Sequence, residues 1–162
     1  MSVHHVVVSS TALAMRGVDE RTPDPQGGRL ERDTAGRLTG LCLDAAMNLL
    51  EDHAELWAGV LTGNGRAFSA GSDLADPDRN STERGGPYGL IRRQRRKPLI
   101  AAVDGLAFGG GFEMVLACDL VVASRRARFA LPEVKRGLLA LYGGVFRGAR
   151  ALPLNLAREM VL

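Results

Sequence analysis

The run from Lys97 to Asp119, KPLIAAVDGLAFGGGFEMVLACD, constrains this chain more than any other stretch. Leu99 to Val103 is an unbroken apolar segment after a proline and reads as a short buried strand. Gly109, Gly110 and Gly111 then strip the backbone of side chains where the chain turns. Phe112 to Ala117 follows with good helix formers and with Glu113 in its first turn. A strand, a bare glycine loop and a helix expose N–H groups at a helix start, where a negative charge can bind. The same glycines also suit a tight turn that serves only close packing. Taken alone, this stretch leaves both readings open.

A second glycine loop lies upstream. Leu56 to Thr62 (LWAGVLT) is an apolar strand candidate, Gly63-Asn64-Gly65 a turn, and RAFSAGSDL (66–74) again puts small residues after a strand end. With LTGNGRAFSAGSDL (61–74), KPLIAAVDGLAFGGGFEMVLACDLVVAS (97–124) and FALPEVKRGL (129–138), the chain resembles the enoyl-CoA hydratase/isomerase superfamily, the crotonases. The three segments keep that family's order and spacing over roughly a third of the chain.

The alternation of strands and helices places the chain in the α/β class with mostly parallel pairing. The resemblance implies more: a crotonase-like superhelix of ββα turns, as a homotrimer or dimer of trimers, acting on an acyl-CoA thioester. Adding water across a double bond conjugated to a thioester builds negative charge on the carbonyl oxygen. Two preorganised N–H donors can stabilise it, each worth roughly 3 kcal/mol. In the family these are backbone amides at the positions of Ser72 and Gly110. Two glutamates that hold one water match Glu113 and Glu133, and such acid–base help contributes about 10²–10⁴-fold in rate. The resemblance also sets Ala70, Gly71, Asp73, Leu74, Phe108 and Gly109 against the substrate; Arg66, beside the first glycine loop, reads either as a contact to the nucleotide phosphates or as a solvated arginine. Family isomerases generally keep only the acid matching Glu133, so the presence of both makes hydration the leading reaction. Alternatives are isomerisation, dehydration of a polar acyl-CoA such as carnitinyl-CoA, or a catalytically silent binding subunit.

The remaining sequence supplies expectations of other kinds. One domain of 162 residues is expected, with a net charge of +3, and the mildly basic surface suits a polyanionic ligand. No basic segment interleaves with aromatics, so nucleic acid is not implied. Cys42 and Cys118 stand apart in apolar surroundings and read as reduced core thiols of a cytoplasmic protein. The start, with Val6 to Val8, reads as a strand rather than a signal, and no run is long enough to span a bilayer. Residues 15–36 (RGVDERTPDPQGGRLERDTAGR, 16–37) read as a divergent, loop-like segment where the family has an Asn-Arg-Pro turn. Leu38 to Leu50 reads as a helix with Leu41, Ala45, Asn48 and Leu49 near one face. Trp57 reads as packing, and His53 as a surface residue. Tyr88 to Arg96 reads as a basic helix whose arginines face solvent, a phosphate or a neighbouring subunit. Leu120 to Ala123 and Ala127 to Leu131 read as strands, Pro132-Glu133 as a helical start, and Val145 to Leu152 as a helix. Leu154 to Leu162 lacks a glycine cap, so the C-terminal helices of a crotonase are expected to be missing. No metal, flavin or nicotinamide site is implied, and coenzyme A enters only as part of the substrate.

Overall fold

The computed structural model describes residues 31–32, 38–40, 43–63, 67–71 and 81–162. The expected strand at Val6 to Val8, most of the divergent segment, Cys42 and the turn at Asn64-Gly65 lie outside the described residues. β1 (Glu31–Arg32) and β2 (Leu38–Gly40) form a short antiparallel pair ahead of α1 (Leu43–Asp52).

Two three-stranded parallel sheets follow, and the chain visits them alternately. β3 (Gly59–Thr62), β7 (Leu99–Val103) and β9 (Leu120–Ala123) make the first, with β7 central. β4 (Ala67–Ser69), β8 (Leu106–Phe108) and β10 (Arg128–Ala130) make the second, with β8 central. Each pass of the chain therefore lays one strand in each sheet, and α2 (Gly110–Leu116) returns it from β8 to β9. This is the mostly parallel α/β arrangement that the alternation of elements implied, with one ββα turn (β7, β8 and α2) complete among the described residues. Between β4 and β7 lies a small antiparallel hairpin, β5 (Ser81–Thr82) and β6 (Gly86–Pro87). After β10 come a 3₁₀ turn, η1 (Pro132–Arg136), then α3 (Gly144–Ala151) and α4 (Leu154–Val161).

The apolar run of β7 explains its central place. Leu99, Ala101 and Val103 are buried on one face, where they join Leu61, Phe68, Ala107, Met114 and Val115 in a single core. Burying each of the Leu, Val, Phe and Met side chains among them contributes roughly 1.5–3 kcal/mol, the bulk of what holds the two sheets and α2 together.

Four local expectations are corrected. Leu38 to Gly40 is strand, and the helix begins only at Leu43. The buried face of α1 is Leu43, Asp44, Ala46, Met47, Leu50 and Glu51, because two of its acids turn inward to meet basic groups. Trp57 does not pack: it is 82% exposed ahead of β3.

The fourth correction is the largest. Tyr88 to Arg96 is a series of turns, not a helix. Gly86, Tyr88 and Gly89 all have positive φ, of 65°, 56° and 67°, which no right-handed helix accommodates. The arginines do not face solvent as a set. Arg93 is buried and pairs with Asp44 at 2.5 Å, while also donating to Asn48 Oδ1 and the Gly89 carbonyl. Arg95 forks onto Asp119, and the Arg96 and Lys97 backbone N–H groups donate to the buried Glu51 carboxylate. Lys97 Nζ caps the end of α1 through the carbonyls of Leu50 and His53. Arg93 and Lys97 thus clamp this turn to α1 and Arg95 ties it to Asp119, while Arg92 and Arg96 stay exposed.

Candidate functional site

Three strands of the second sheet deliver the site. β4, β8 and β10 run parallel, so the loops that follow them emerge at one end. The β4 loop contains Ala70 and Gly71, the β8 loop Gly109, and the β10 loop Leu131 and η1.

The first two loops touch. Gly71 has φ of 96°, and its N–H donates to the buried Ser69 Oγ at 3.3 Å. A Cβ on Gly71 would stand 3.1 Å from the Phe108 carbonyl and 3.3 Å from the Gly110 nitrogen. Two glycine loops distant in sequence thus meet at the Gly110 amide, with Ala70 exposed and Phe108 half-buried beside them. Gly111 is needed for packing: a Cβ there would fall 2.5 Å from the Ser69 carbonyl. The close-packing reading of the triple glycine therefore holds at Gly111. Arg66, Ser72, Asp73 and Leu74 lie outside the described residues.

The third loop brings the second acid. Gly109 N–H donates to the Ala130 carbonyl at 2.9 Å, tying the glycine loop to the end of β10. Pro132 then starts η1, and Glu133 turns back so that a Cβ on Gly109 would lie 3.0 Å from its Oε1. Glu113, in the first turn of α2, is 2% exposed. Its Oε1 accepts the Gly144 N–H at 2.9 Å, and the Tyr142 N–H donates to it as well.

Electrostatics couple the two carboxyls. Burial pushes Glu113 above the ordinary glutamate range, and the charge of Glu133 pushes it further, against the pull of the Gly144 N–H. Glu133 is likewise raised by burial. Its Oε2 is buried and has no hydrogen-bond partner among the described residues. Two carboxyls with raised affinity for protons, one with an oxygen facing no donor, can hold and pass a proton.

Sequence reasoning missed three contributors. Tyr88 is buried, and a Cβ on Gly110 would fall 1.8 Å from its hydroxyl oxygen, so the ring lies directly against that glycine. Its ring meets Tyr142 edge-on with centroids 5.7 Å apart. Arg147 donates to the Tyr142 carbonyl at 3.2 Å and the Ile91 carbonyl at 2.9 Å, joining the loop before α3 to the Tyr88 turn. Gly143-Gly144 gave the one usable signal, as a helix start. Tyr88 gave none, since a tyrosine in a polar loop carries no pattern.

Cys118 accounts for the remaining nucleophile: burial pushes its thiol up to about 12, so it stays protonated. Among the described residues no cluster of three His, Cys, Asp or Glu side chains could hold a metal ion. None of their helices is long and apolar enough to cross a membrane.

Comparison with known proteins points the same way. The profile of the enoyl-CoA hydratase/isomerase family matches residues 41–162. A mevalonyl-coenzyme A hydratase of Aspergillus fumigatus is 45% identical over 114 residues, covering 66% of this chain and 42% of that protein. A carnitinyl-CoA dehydratase of Salmonella enteritidis is 42% identical over 134 residues, covering 76% of this chain and 50% of that protein. The crystal structure of an enoyl-CoA hydratase from Mycobacterium marinum superposes with a TM-score of 0.68 at 45% identity, over 74% of this chain and 48% of that one. The chain spans about half the length of the relatives it matches.

Proposed function

We propose, for a chain that belongs to the enoyl-CoA hydratase/isomerase family, the hydratase branch of that chemistry: syn addition of water to a 2-enoyl-CoA thioester. The observation that carries it is the pair of carboxyls, buried Glu113 and half-buried Glu133, brought to the Gly109-Gly110 loop from the ends of neighbouring strands. The thioester oxygen accepts hydrogen bonds from the N–H groups of Gly110 and Ser72, which stabilise the enolate-like charge. A water lies between the two glutamates. One carboxylate takes a proton from it as its oxygen bonds to the β-carbon, and a proton passes to the α-carbon on the same face. Water is consumed and no electron leaves the substrate, so coenzyme A is needed only as the acyl carrier. Ala70, Gly71, Asp73, Leu74, Phe108 and Gly109 line the thioester, and Arg66 faces the nucleotide phosphates.

The test is hydration of crotonyl-CoA, followed by loss of the enoyl-thioester absorbance. Glu113→Gln and Glu133→Gln should each lower kcat by at least about 100-fold with binding nearly unchanged. Full activity in either variant overturns the assignment. A loss confined to Glu133→Gln points to isomerisation instead. The carnitinyl-CoA dehydratase relative supports a second reading, the same steps run in reverse on a polar acyl-CoA. An unchanged chain that binds coenzyme A yet turns over neither thioester is a binding subunit. Exposed Leu138, Leu139, Leu141 and Phe146 support assembly as a homotrimer or dimer of trimers, which would cover them. The proposal includes the cytoplasm as the compartment, where a free Cys118 stays reduced.

A further inference from the structure

We infer that the Tyr88 hydroxyl is a third donor to the thioester oxygen, beside the two backbone amides. This rests on the proposed oxyanion site and extends it to a side chain.

The first ground is position. The phenol oxygen occupies the space next to the Gly110 Cα where any other residue would carry its side chain, 1.8 Å from an added Cβ. An acyl group taken up against Gly110 would come close to this phenol. Phe108 and Gly109 lead into that point on one side, and Glu133 flanks Gly109 on the other.

The second ground is that the chain holds Tyr88 there at a cost. Its φ of 56° is the only positive value on a non-glycine residue among the described residues. Outliers of this kind persist only where the surroundings over-determine them. Here they do. A Cβ on Gly85 would collide with the Gly89 backbone, and one on Gly89 with Asp44, so the turn has no slack at either end. Arg93 anchors it to Asp44, and Arg147 anchors Ile91 to the loop before α3. Relaxing the backbone at Tyr88 would swing the ring away from Gly110. The ring also contacts Tyr142, two residues before Gly144, whose N–H donates to Glu113, so this loop ties the phenol to that acid.

A phenol O–H strengthens its hydrogen bond as charge grows on the acceptor, which is what the reaction requires of a donor here. A phenylalanine would fill the same volume and supply none of this.

The experiment uses acetoacetyl-CoA, a thioester whose α-carbon ionises to an enolate with its own near-ultraviolet band. Binding to the wild-type chain should raise the enolate fraction at a fixed pH. Tyr88→Phe should reduce that fraction roughly tenfold, the size of one hydrogen bond to a charged group. It should also lower kcat for crotonyl-CoA by a similar factor with little change in KM. Urea unfolding of Tyr88→Phe should match that of the wild-type chain, since phenylalanine fills the same volume. An unaltered fraction in Tyr88→Phe overturns the inference, as does a lost fraction accompanied by an equal loss of stability, which would make the effect one of packing. Because the readout needs no turnover, it separates from the hydratase reading: active Glu→Gln variants would sink that reading alone, and a wild-type chain that does not bind the probe would sink both.

Discussion

Gly110→Ala is the sharpest test of how the site is packed. A Cβ at this residue would stand 1.8 Å from the Tyr88 hydroxyl oxygen, 2.5 Å from Cζ and 3.0 Å from Cε2. Ordinary van der Waals contact starts near 3.4 Å, so the phenol would have to retreat by about 1.6 Å (3.4 − 1.8). It cannot slide freely. Tyr142 blocks it edge-on, and the left-handed backbone at Tyr88 is fixed by its packed glycine neighbours. Overpacking typically costs about 1–3 kcal/mol, and a pinned ring against rigid backbone belongs at the upper end. A loss of about 3 kcal/mol lowers Tm by roughly 6–12 °C for a chain of this size. Urea unfolding of Gly110→Ala, Tyr88→Ala and the double variant makes the assay. Removing the ring opens the space, so the two substitutions should couple by about 2 kcal/mol, with Gly110→Ala far milder in the Tyr88→Ala background. An undiminished cost in that background refutes the contact, and with it the placement of Tyr88 beside the thioester.

Two further outcomes follow from the electrostatics. Asp44→Ala should destabilise the chain by about 3–5 kcal/mol in urea unfolding, because it leaves Arg93 charged and buried, whereas Asp52→Ala, which breaks the exposed pair with Arg84, should cost about 1 kcal/mol or less. Glu113 binds its proton more tightly folded than unfolded, so its stabilising contribution is complete below its ordinary value of 4.5 and is lost as pH rises through the raised one. Glu113→Gln should therefore raise Tm at pH 7, with the gain vanishing as pH falls below 4.5, and a constant gain across pH would refute the burial argument.

How much was legible depended on the range of the interactions. β7 was readable because five consecutive apolar residues need no partner to be recognised. β8, lodged between Gly105 and Gly109, was not, since three residues carry no periodicity and its strand character comes from pairing with β4 and β10. Glu113 and Glu133 could be picked out by resemblance to a family, yet their coupling arises from packing that brings η1 onto the glycine loop. The arginines after Tyr88 misled for the same reason. Their partners Asp44 and Glu51 lie more than 40 residues upstream, and nothing in a local charge pattern announces a distant buried acid. Tyr88 itself was invisible, because its backbone is left-handed by constraint from both flanks rather than by its own preference.

The parallel order β4-β8-β10 has one more consequence. Neighbouring strands stand about 4.8 Å apart, so the sheet acts as a ruler and each loop is a mark on it. The β4 mark and the β8 mark meet at the Gly110 amide, while Glu113 and Glu133 belong to the β8 and β10 marks. Lengthening a connection elsewhere, for instance between β9 and β10, leaves these intervals untouched. One acid can be exchanged for another residue on its own mark without moving its neighbours. The meeting of the two glycine loops and the choice of acid beside it can therefore vary independently.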